Sequence, residues 1–385
     1  MEEAEPVPLH RPYLTGQEGK YVSEALEARH HHGDGPFTER CHERLRGLTG
    51  VEHALLTTSC SSALEMAAIL ARRVEPGQFA GEVVVPSFTF VTSANAFVGQ
   101  GYRPVFAEVR EDTGNLDEGR VEEFITSETR AIVAVHYAGV PAEMDRLRAV
   151  ADQHDLALVE DAAHALGARY RGRPVGSLAD LGTFSFHGTK NITCGEGGCL
   201  TVADPERAKR AEIVREKGTN RRQFIEGRVD KYNWVDLGGS YLPADLLAAV
   251  LLAQLEEIET IQASRAERHR RYMAGLRELE ERGVLRLPAI PEHVTSAHHL
   301  FYVRLEDVAT RERLGRALKA QRIGSAFHYP ALHLSPMGRR LGGVPGSLPV
   351  AERVSACLLR LPFYPDLALS DLDRVVEAVR AFFSP

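Results

Sequence analysis

The sequence predicts an α/β protein: a mostly parallel, seven-stranded sheet with helices on both faces, followed by a smaller C-terminal α+β domain. Three observations predict it. Seven short apolar, β-branched runs precede residue 205. Longer amphipathic segments separate them. After about residue 242 the pattern turns strongly helical and then mixed. Runs that alternate with helical segments indicate parallel strands joined by crossovers, with both faces of the sheet covered.

The strand candidates, in order, are His53–Thr57, Glu82–Pro86, Arg103–Ala107, Ala131–His136, Leu156–Glu160, Gly182–Phe186 and Gly198–Val202. Ser61–Arg73, Glu118–Ile125 and Met144–His154 carry apolar residues at helical spacing between them. From Leu242 to Arg282 apolar residues recur at 3.6 spacing in the first half and charge dominates the second. Pro288 and Pro291 then punctuate the chain, and HHLFYVRL, RERLGRALKAQ and SDLDRVVEAVRAFF supply a second, smaller set of elements. With 385 residues, 44% of them hydrophobic, the chain suffices for one large core and one small one, since single cores seldom grow past roughly 250–300 residues. We expect a large domain over 1–255, including an N-terminal arm, and a small one over 256–385.

Composition excludes several classes. The net charge of −7 is unlike the basic stripe of a nucleic-acid binder. No apolar stretch approaches the ~20 residues that span a bilayer. The start, MEEAEPVPLHRPYL, is acidic and Pro-containing, unlike a signal peptide. Five scattered cysteines (Cys41, Cys60, Cys194, Cys199 and Cys357) suggest reduced thiols in a cytoplasmic protein. No metal site is expected: Cys194 and Cys199 lack a second ligand pair, and His30–His32 reads as loop.

Four stretches carry chemistry. LALVEDAAHALGA is an apolar strand ending in an acidic pair. Ligands sit beyond the carboxyl ends of strands in open α/β sheets, so Asp161 is either functional or a helix N-cap. GTFSFHGTKNITCGEGG places Lys190 in a polar turn before Gly195, Gly197 and Gly198. Lys190 is open to three readings: a solvated charge, a phosphate-binding lysine, or a lysine that forms a Schiff base. The phosphate-loop pattern and the dinucleotide fingerprint are both absent. A Schiff-base lysine needs an anion-binding turn and a carboxylate for a pyridinium nitrogen, and Asp161 could supply the latter. LLTTSCSSALEMAAILA breaks a strand at Thr58–Ser59–Cys60 and starts a helix near Ser61: a phosphate site or ordinary Ser capping. PSFTFVTSANA puts Phe88 and Phe90 just after a strand end, to stack on a flat ligand or to fill the core.

Taken together, in this order, these stretches resemble the DegT/DnrJ/StrS family of sugar aminotransferases, a branch of the fold-type-I pyridoxal-phosphate enzymes. The resemblance runs from PLHRPY to HYPALH and LRLPFYP. It implies that Lys190 binds the cofactor covalently and shuttles a proton. It implies that Asp161 pairs with the ring nitrogen, that His164 stands near the phenolic oxygen and that Phe90 stacks on the ring. Cys60, Ser61 and Ser185 match the phosphate site. The family turn G-Y-N-x-R is replaced here by GGSYLP, with Ser240 at the Asn position that reaches the neighbouring subunit's phosphate and Leu242 at the Arg position. That departure, with KGTNRRQF and YNWVDLGGSYL, is similar to the subgroup that aminates carbon 4 of a dTDP-4-keto-6-deoxyhexose. The resemblance therefore implies pyridoxal 5'-phosphate, cycling through pyridoxamine 5'-phosphate, a nucleotide-sugar substrate and an amino-acid donor such as glutamate. It also implies a homodimer with shared sites. The apolar run LLAAVLLAQL suggests a helix that one subunit alone cannot cover. For substrate contacts it points to Phe88, Lys217, Asn220, His328 and Tyr329. Sugar dehydratases of this fold carry His at the Schiff-base position, where this chain has Lys190. A non-catalytic sensor that keeps the fold is the other alternative, and a nicotinamide oxidoreductase lacks its fingerprint.

Overall fold

The computed structural model describes residues 5–75 and 77–384. All seven predicted strands form, within a residue or two of their expected ends: β1 (His53–Thr57), β2 (Gly81–Pro86), β3 (Tyr102–Ala107), β4 (Thr129–Val135), β5 (Ala157–Asp161), β8 (Leu181–Ser185) and β9 (Gly198–Val202). Between β5 and β8 a short hairpin, β6 (Arg169–Tyr170) and β7 (Arg173–Pro174), pairs with β11 (Val294–Thr295). The seven strands make one sheet in the order β1-β9-β8-β5-β4-β2-β3. Pairs from β8 through β5, β4 and β2 to β3 are parallel, and β9 is antiparallel to both neighbours.

Alternation along each strand divides the apolar side chains between two cores. Val84, Ile132, Ala134 and Leu158 face one way, with Met144, Leu147 and Val150 of α5 (Met144–Gln153). Val83, Val85, Val133 and Val159 face the other, with Leu64 and Ile69 of α3 (Cys60–Ala71) and Ala208 and Ala211 of α6 (Pro205–Arg215). A strand buried on both faces needs apolar residues at most positions, which is why these runs read as nearly continuous. Each such side chain, fully buried, contributes about 1.5–3 kcal/mol.

A second sheet, in the order β10 (Leu285–Arg286), β12 (Phe301–Leu305), β14 (Leu358–Leu361), β13 (Ala326–Phe327), lies in the C-terminal part. Its own core joins Phe301, Leu361 and Val375 to Tyr272 and Leu276 of α9 (Ile258–Glu281). The N-terminal arm belongs to this core: Val7 bridges to Ile323, and Phe363 N–H donates to Leu9 O at 3.1 Å.

Two expectations need correction. The helix expected over Glu118–Ile125 is only a 3-10 turn, Val121–Phe124. Val121 is its single buried residue, too little apolar contact to sustain a longer helix. The apolar helix after residue 242, α8 (Asp245–Glu256), is covered by its own chain. It packs against α1 (Glu18–Glu27) and α2 (Pro36–Thr49), and Ala248, Leu251, Leu252 and Leu255 are buried in the large core. Asp245 caps α2, accepting from Thr38 N at 2.8 Å and Phe37 N at 3.2 Å. Its apolarity is thus no argument for a partner subunit.

Candidate active site

The carboxyl ends of β1, β2, β5 and β8 meet at one edge of the sheet, facing the second sheet. A pocket of about 350 Å³ opens there, lined by Asp161, Ser185 and Lys190 on one side and by His328, Tyr329 and Arg360 on the other.

Lys190 sits in the loop between β8 and β9. That loop is closed by a ladder: Phe186 N donates to Gly197 O at 2.8 Å, Gly188 N to Gly195 O at 2.8 Å, and Cys194 N to Phe186 O at 3.0 Å. Gly195 holds φ +89°, which a side chain would resist. The arm braces the same loop, since His10 Nε2 lies 3.0 Å from Gly188 O. Desolvation by the pocket walls drops the Lys190 pKa to about 8. The charge of Arg360 pushes the same way, while Cys60 and Asp161 oppose it.

Asp161 ends β5 and is 5% exposed. Its Oδ2 accepts from Ser93 Oγ at 2.6 Å and its Oδ1 from Ala163 N at 3.2 Å. No helix follows, because residues 162–168 are turns. The N-cap alternative therefore has nothing to cap, and the carboxylate faces the pocket that holds Lys190.

Ser59 caps α3, accepting from Ser62 N at 3.1 Å. The N–H groups of Cys60 and Ser61 begin the helix and have no acceptor within it. All three residues line the pocket. The start of β9 presses against this turn: a Cβ on Gly198 would lie 2.3 Å from Ser59 C and 2.5 Å from Cys60 N. Only glycine lets the two backbones meet.

The rest of the wall is made of rings. His164 stacks on His299, with centroids 4.0 Å apart. Asn191 Nδ2 donates to Ala297 O at 2.7 Å, leaving Asn191 Oδ1 to accept from His299 Nδ1 at 2.8 Å. Arg265 holds the same segment by donating to His298 O and His299 O. Burial pushes His164 and His299 well below the usual histidine range and takes His328 down to about 2. These imidazoles are neutral near pH 7. Phe90 is 53% exposed at the mouth, its ring 5.8 Å from that of Tyr329.

The sequence-predicted residues thus divide. Lys190, Asp161, His164, Cys60, Ser61, Phe90, Ser185, His328 and Tyr329 come together in the pocket. Phe88 is a correction: it is fully buried against Tyr137 at 4.8 Å and belongs to the core, so it cannot touch a substrate. Lys217, Asn220 and Ser240 lie outside the pocket of their own chain. Lys217 pairs with Glu216 at 3.2 Å, and Ser240 is exposed and bridges to Glu216. Asn220 clasps its own loop, accepting from Asn233 N at 2.7 Å and donating to Lys231 O at 3.3 Å. Reading the sequence missed His10, Ser93, Asn191, His299 and Arg360. Of these, Asn191 and Ser93 lie in the stretches that carry chemistry, and His10, His299 and Arg360 lie in PLHRPY, HHLFYVRL and LRLPFYP, which assign them no role.

The residues present fit pyridoxal phosphate. A half-buried lysine of lowered pKa faces a buried carboxylate that accepts two hydrogen bonds, beside a helix N-terminus with unpaired N–H groups and hydroxyls. That set suits a flat cation with a phosphate tail.

Comparison with known proteins agrees. The DegT/DnrJ/EryC1/StrS aminotransferase family matches residues 12–380. An uncharacterised protein of Methanocaldococcus jannaschii is 35% identical over 358 residues, 91% of each chain. The aminotransferase TlmJ of Streptoalloteichus hindustanus superposes with a TM-score of 0.88 at 31% identity, over 98% of both chains. DesI, solved in the presence of its TDP-sugar product, gives a TM-score of 0.85 at 31% identity, over 98% of this chain and 93% of its own. With a pocket built for pyridoxal phosphate and a match across almost its whole length, this chain belongs to the DegT/DnrJ/EryC1/StrS family of pyridoxal-phosphate-dependent sugar aminotransferases.

Proposed function

We propose that the enzyme moves an amino group from glutamate to carbon 4 of a nucleotide-linked 4-keto-6-deoxyhexose such as dTDP-4-keto-6-deoxyglucose. The observation that carries this reading is the pocket's composition: Lys190 and Asp161 stand among neutral rings and hydroxyls. Such walls suit an uncharged deoxyhexose at the reacting end, with the charged nucleotide at the mouth. The likeness to DesI, which has a TDP-sugar product, supports the same class.

When bound, pyridoxal phosphate supplies an electron sink and a carrier for the amino group. Lys190 would hold it through its amine and, once free, would take and return the proton at the donor or sugar carbon. A lysine of pKa about 8 can both accept and return that proton near neutral pH. Asp161, fixed by Ser93 Oγ and Ala163 N, would keep the ring nitrogen protonated. Cys60, Ser61 and Ser185 would hold its phosphate, and Phe90 and His164 would hold its ring. His328 and Tyr329 contact the sugar.

The loop over 216–240 completes the site of a second subunit in this reading. It exposes Phe224, Ile225, Tyr232, Trp234 and Val235, the last two at 80% and 52%. So many large apolar side chains exposed on one loop support an interface there. Ser240 and Lys217 would then be offered to the partner's pocket, with Asn220 holding the loop that carries them. Incubation with ¹⁵N-glutamate and dTDP-4-keto-6-deoxyglucose tests the proposal. NMR should show labelled nitrogen at carbon 4; labelling at carbon 3, or no transfer, counts against it.

A further inference from the structure

Ser87, His333 and Glu352 take part in no step above, yet they form one hydrogen-bonded line between the two walls of the pocket. Ser87 follows β2 and is fully buried, as is His333 in the 3-10 turn Leu332–Leu334. Ser87 Oγ lies 2.6 Å from His333 Nδ1, and His333 Nε2 lies 2.9 Å from Glu352 Oε1. A carboxylate only accepts, so Nε2 carries the hydrogen, and in the neutral ring Nδ1 accepts from the Ser87 hydroxyl. The backbone doubles the tie, since Leu332 N donates to Ser87 O at 2.8 Å. Serine, histidine and carboxylate in a line is also the order of a hydrolytic triad. A sealed hydroxyl meets no substrate, however, so this line holds and does not attack.

Glu352 lies on a helix, α12 (Pro349–Cys357), that has further ties to both walls. Its N-cap, Leu348, offers no side chain to the free N–H groups. Glu108, just past β3 and 1% exposed, caps it instead, accepting from Val350 N at 3.1 Å and Ala351 N at 2.7 Å. On the turn after Glu352, Ser355 Oγ accepts from Ala331 N at 3.0 Å and donates to Tyr329 O. The helix is thus a strut, footed on the large sheet and bonded along its side to the segment that brings Tyr329 to the pocket.

Both ends of the line stand close to the mouth. Ser87 belongs to the stretch that carries Phe90, and His333 to the one that carries Tyr329; those two rings are 5.8 Å apart. The Phe90 stretch has other anchors: Ser87 N donates to Ala107 O at 3.0 Å, and Thr89 Oγ1 lies 2.8 Å from Ser93 Oγ. The Tyr329 hydroxyl reaches the large domain only weakly, 3.4 Å from His164 Nε2. Loss of the line therefore frees the Tyr329 side first. We infer that His333 is a positioning residue: with Ser87 and Glu352 it fixes Tyr329 opposite Phe90 and so shapes the mouth for the keto sugar. This rests on the reading of Tyr329 as a sugar contact. An amino-acid donor is smaller than a nucleotide sugar and need not span the two rings.

The absorbance of the bound cofactor in the holoenzyme reads the two half-reactions separately, with glutamate on the pyridoxal form and dTDP-4-keto-6-deoxyglucose on the pyridoxamine form. His333→Phe keeps a ring and loses both bonds. It should raise the sugar concentration at half-maximal rate by ~10-fold, the loss of about one hydrogen bond of alignment. The glutamate half-reaction should stay within about twofold. Glu352→Ala should match His333→Phe, whereas Glu352→Gln should recover most of the loss, because its amide oxygen still accepts from Nε2–H. Ser87→Ala and Glu352→Ala together should cost no more than the worse of the two, as expected of one line. Hydrogen exchange should quicken over residues 329–334 of His333→Phe and stay unchanged in β5. Should His333→Phe fail to fold, Ser87→Ala runs the same test from the other end. Equal slowing of both half-reactions, or quickened exchange in β5 as well, means general loosening and overturns the inference. So does faster exchange over 329–334 with an unchanged sugar half-reaction, since the tie then shapes no site. If the wild type converts glutamate but not this sugar, the substrate reading falls, and the position of Tyr329 stands or falls on exchange over 329–334.

Discussion

Ser93 Oγ donates to Asp161 Oδ2 at 2.6 Å, and both side chains are buried. Ser93 is itself 2.8 Å from Thr89 Oγ1, so the carboxylate is held by a short relay from the segment after β2. Asp161→Asn should keep the fold but lower turnover by about 10²-fold, because an amide cannot keep a ring nitrogen protonated, and a hydrogen bond to a charged group is worth roughly 1.5–3 kcal/mol. Ser93→Ala should cost about tenfold by removing one of two restraints while leaving the charge. Single-turnover rates of both variants decide the order; an Asp161→Asn enzyme of normal rate removes the carboxylate from the chemistry.

Lys190 should be reactive at a pH where ordinary lysines are not. With its pKa at about 8, half of it is neutral at pH 8, against ~0.3% for a lysine at 10.5. The pKa is lowered by burial, so the neutral nucleophile grows as pH rises through about 8. Capture of cofactor by the cofactor-free protein should therefore climb between pH 7 and 9 and level off above that. A rise that continues to pH 10.5 would mean that the walls do not desolvate the amine. Borohydride should fix the cofactor to the peptide that holds Lys190 and not to Lys217. Lys190→Ala should lose transamination by several orders of magnitude while still binding cofactor.

Gly198→Ala should damage the phosphate turn without touching the cofactor's ring. The added methyl would sit 2.3 Å from Ser59 C, so either β9 or the start of α3 must move. We expect cofactor affinity to fall by about tenfold or more and stability by about 1–3 kcal/mol, the range for overpacking. Equilibrium dialysis and thermal denaturation measure the two effects, and unchanged values for both would show that the turn yields freely.

Trp234 should be an interface residue. Its ring is 80% exposed in the isolated chain, and its Nε1 donates to Asp236 O at 2.7 Å, so its shape is set while its surface is uncovered. Trp234→Ser should shift the protein from dimer to monomer in light scattering at micromolar concentration. Loss of a buried aromatic anchor costs ~2 kcal/mol or more at an interface. Mixing Lys190→Ala with a damaging Ser240 variant should regain activity if each loop serves the other subunit. Subunits that exchange and stay inactive would return Ser240 to its own chain.

Local features made much of this legible. Near-continuous apolar runs gave the seven strands, because a doubly buried strand carries few polar residues, and those it does carry, such as Glu160 and Asp161, are hydrogen-bonded. Lys190 and Asp161 were legible because each sits where a strand ends and a turn begins. Arg360 and His299 were not: LRLPFYP and HHLFYVRL read only as C-terminal elements, and nothing local says that β14 and the segment before β12 face the pocket; His299 meets Asn191 from 108 residues away. Phe88 and Phe90 differ by two positions, yet one ring is sealed beside Tyr137 and the other stands at the mouth. Residue type decides neither, because the chain has already left the strand and its alternation no longer applies. The covering of α8 was equally hidden: an apolar helix announces that it will be buried, not by whom.

The N-terminal arm ties the order of synthesis to the completion of the site. Val7 meets Ile323, Leu9 O awaits Phe363 N–H, and His10 touches Gly188 O. A growing chain reaches its Lys190 loop long before residues 323 and 363 exist. At roughly 5–20 residues per second, that interval lasts several seconds to half a minute. During it the arm has no sheet to lie on, and the loop it braces lacks one of its supports. Residues 7–10 are thus made early and placed late, and a chain stopped short of Phe363 would keep its lysine but not the strap that steadies it.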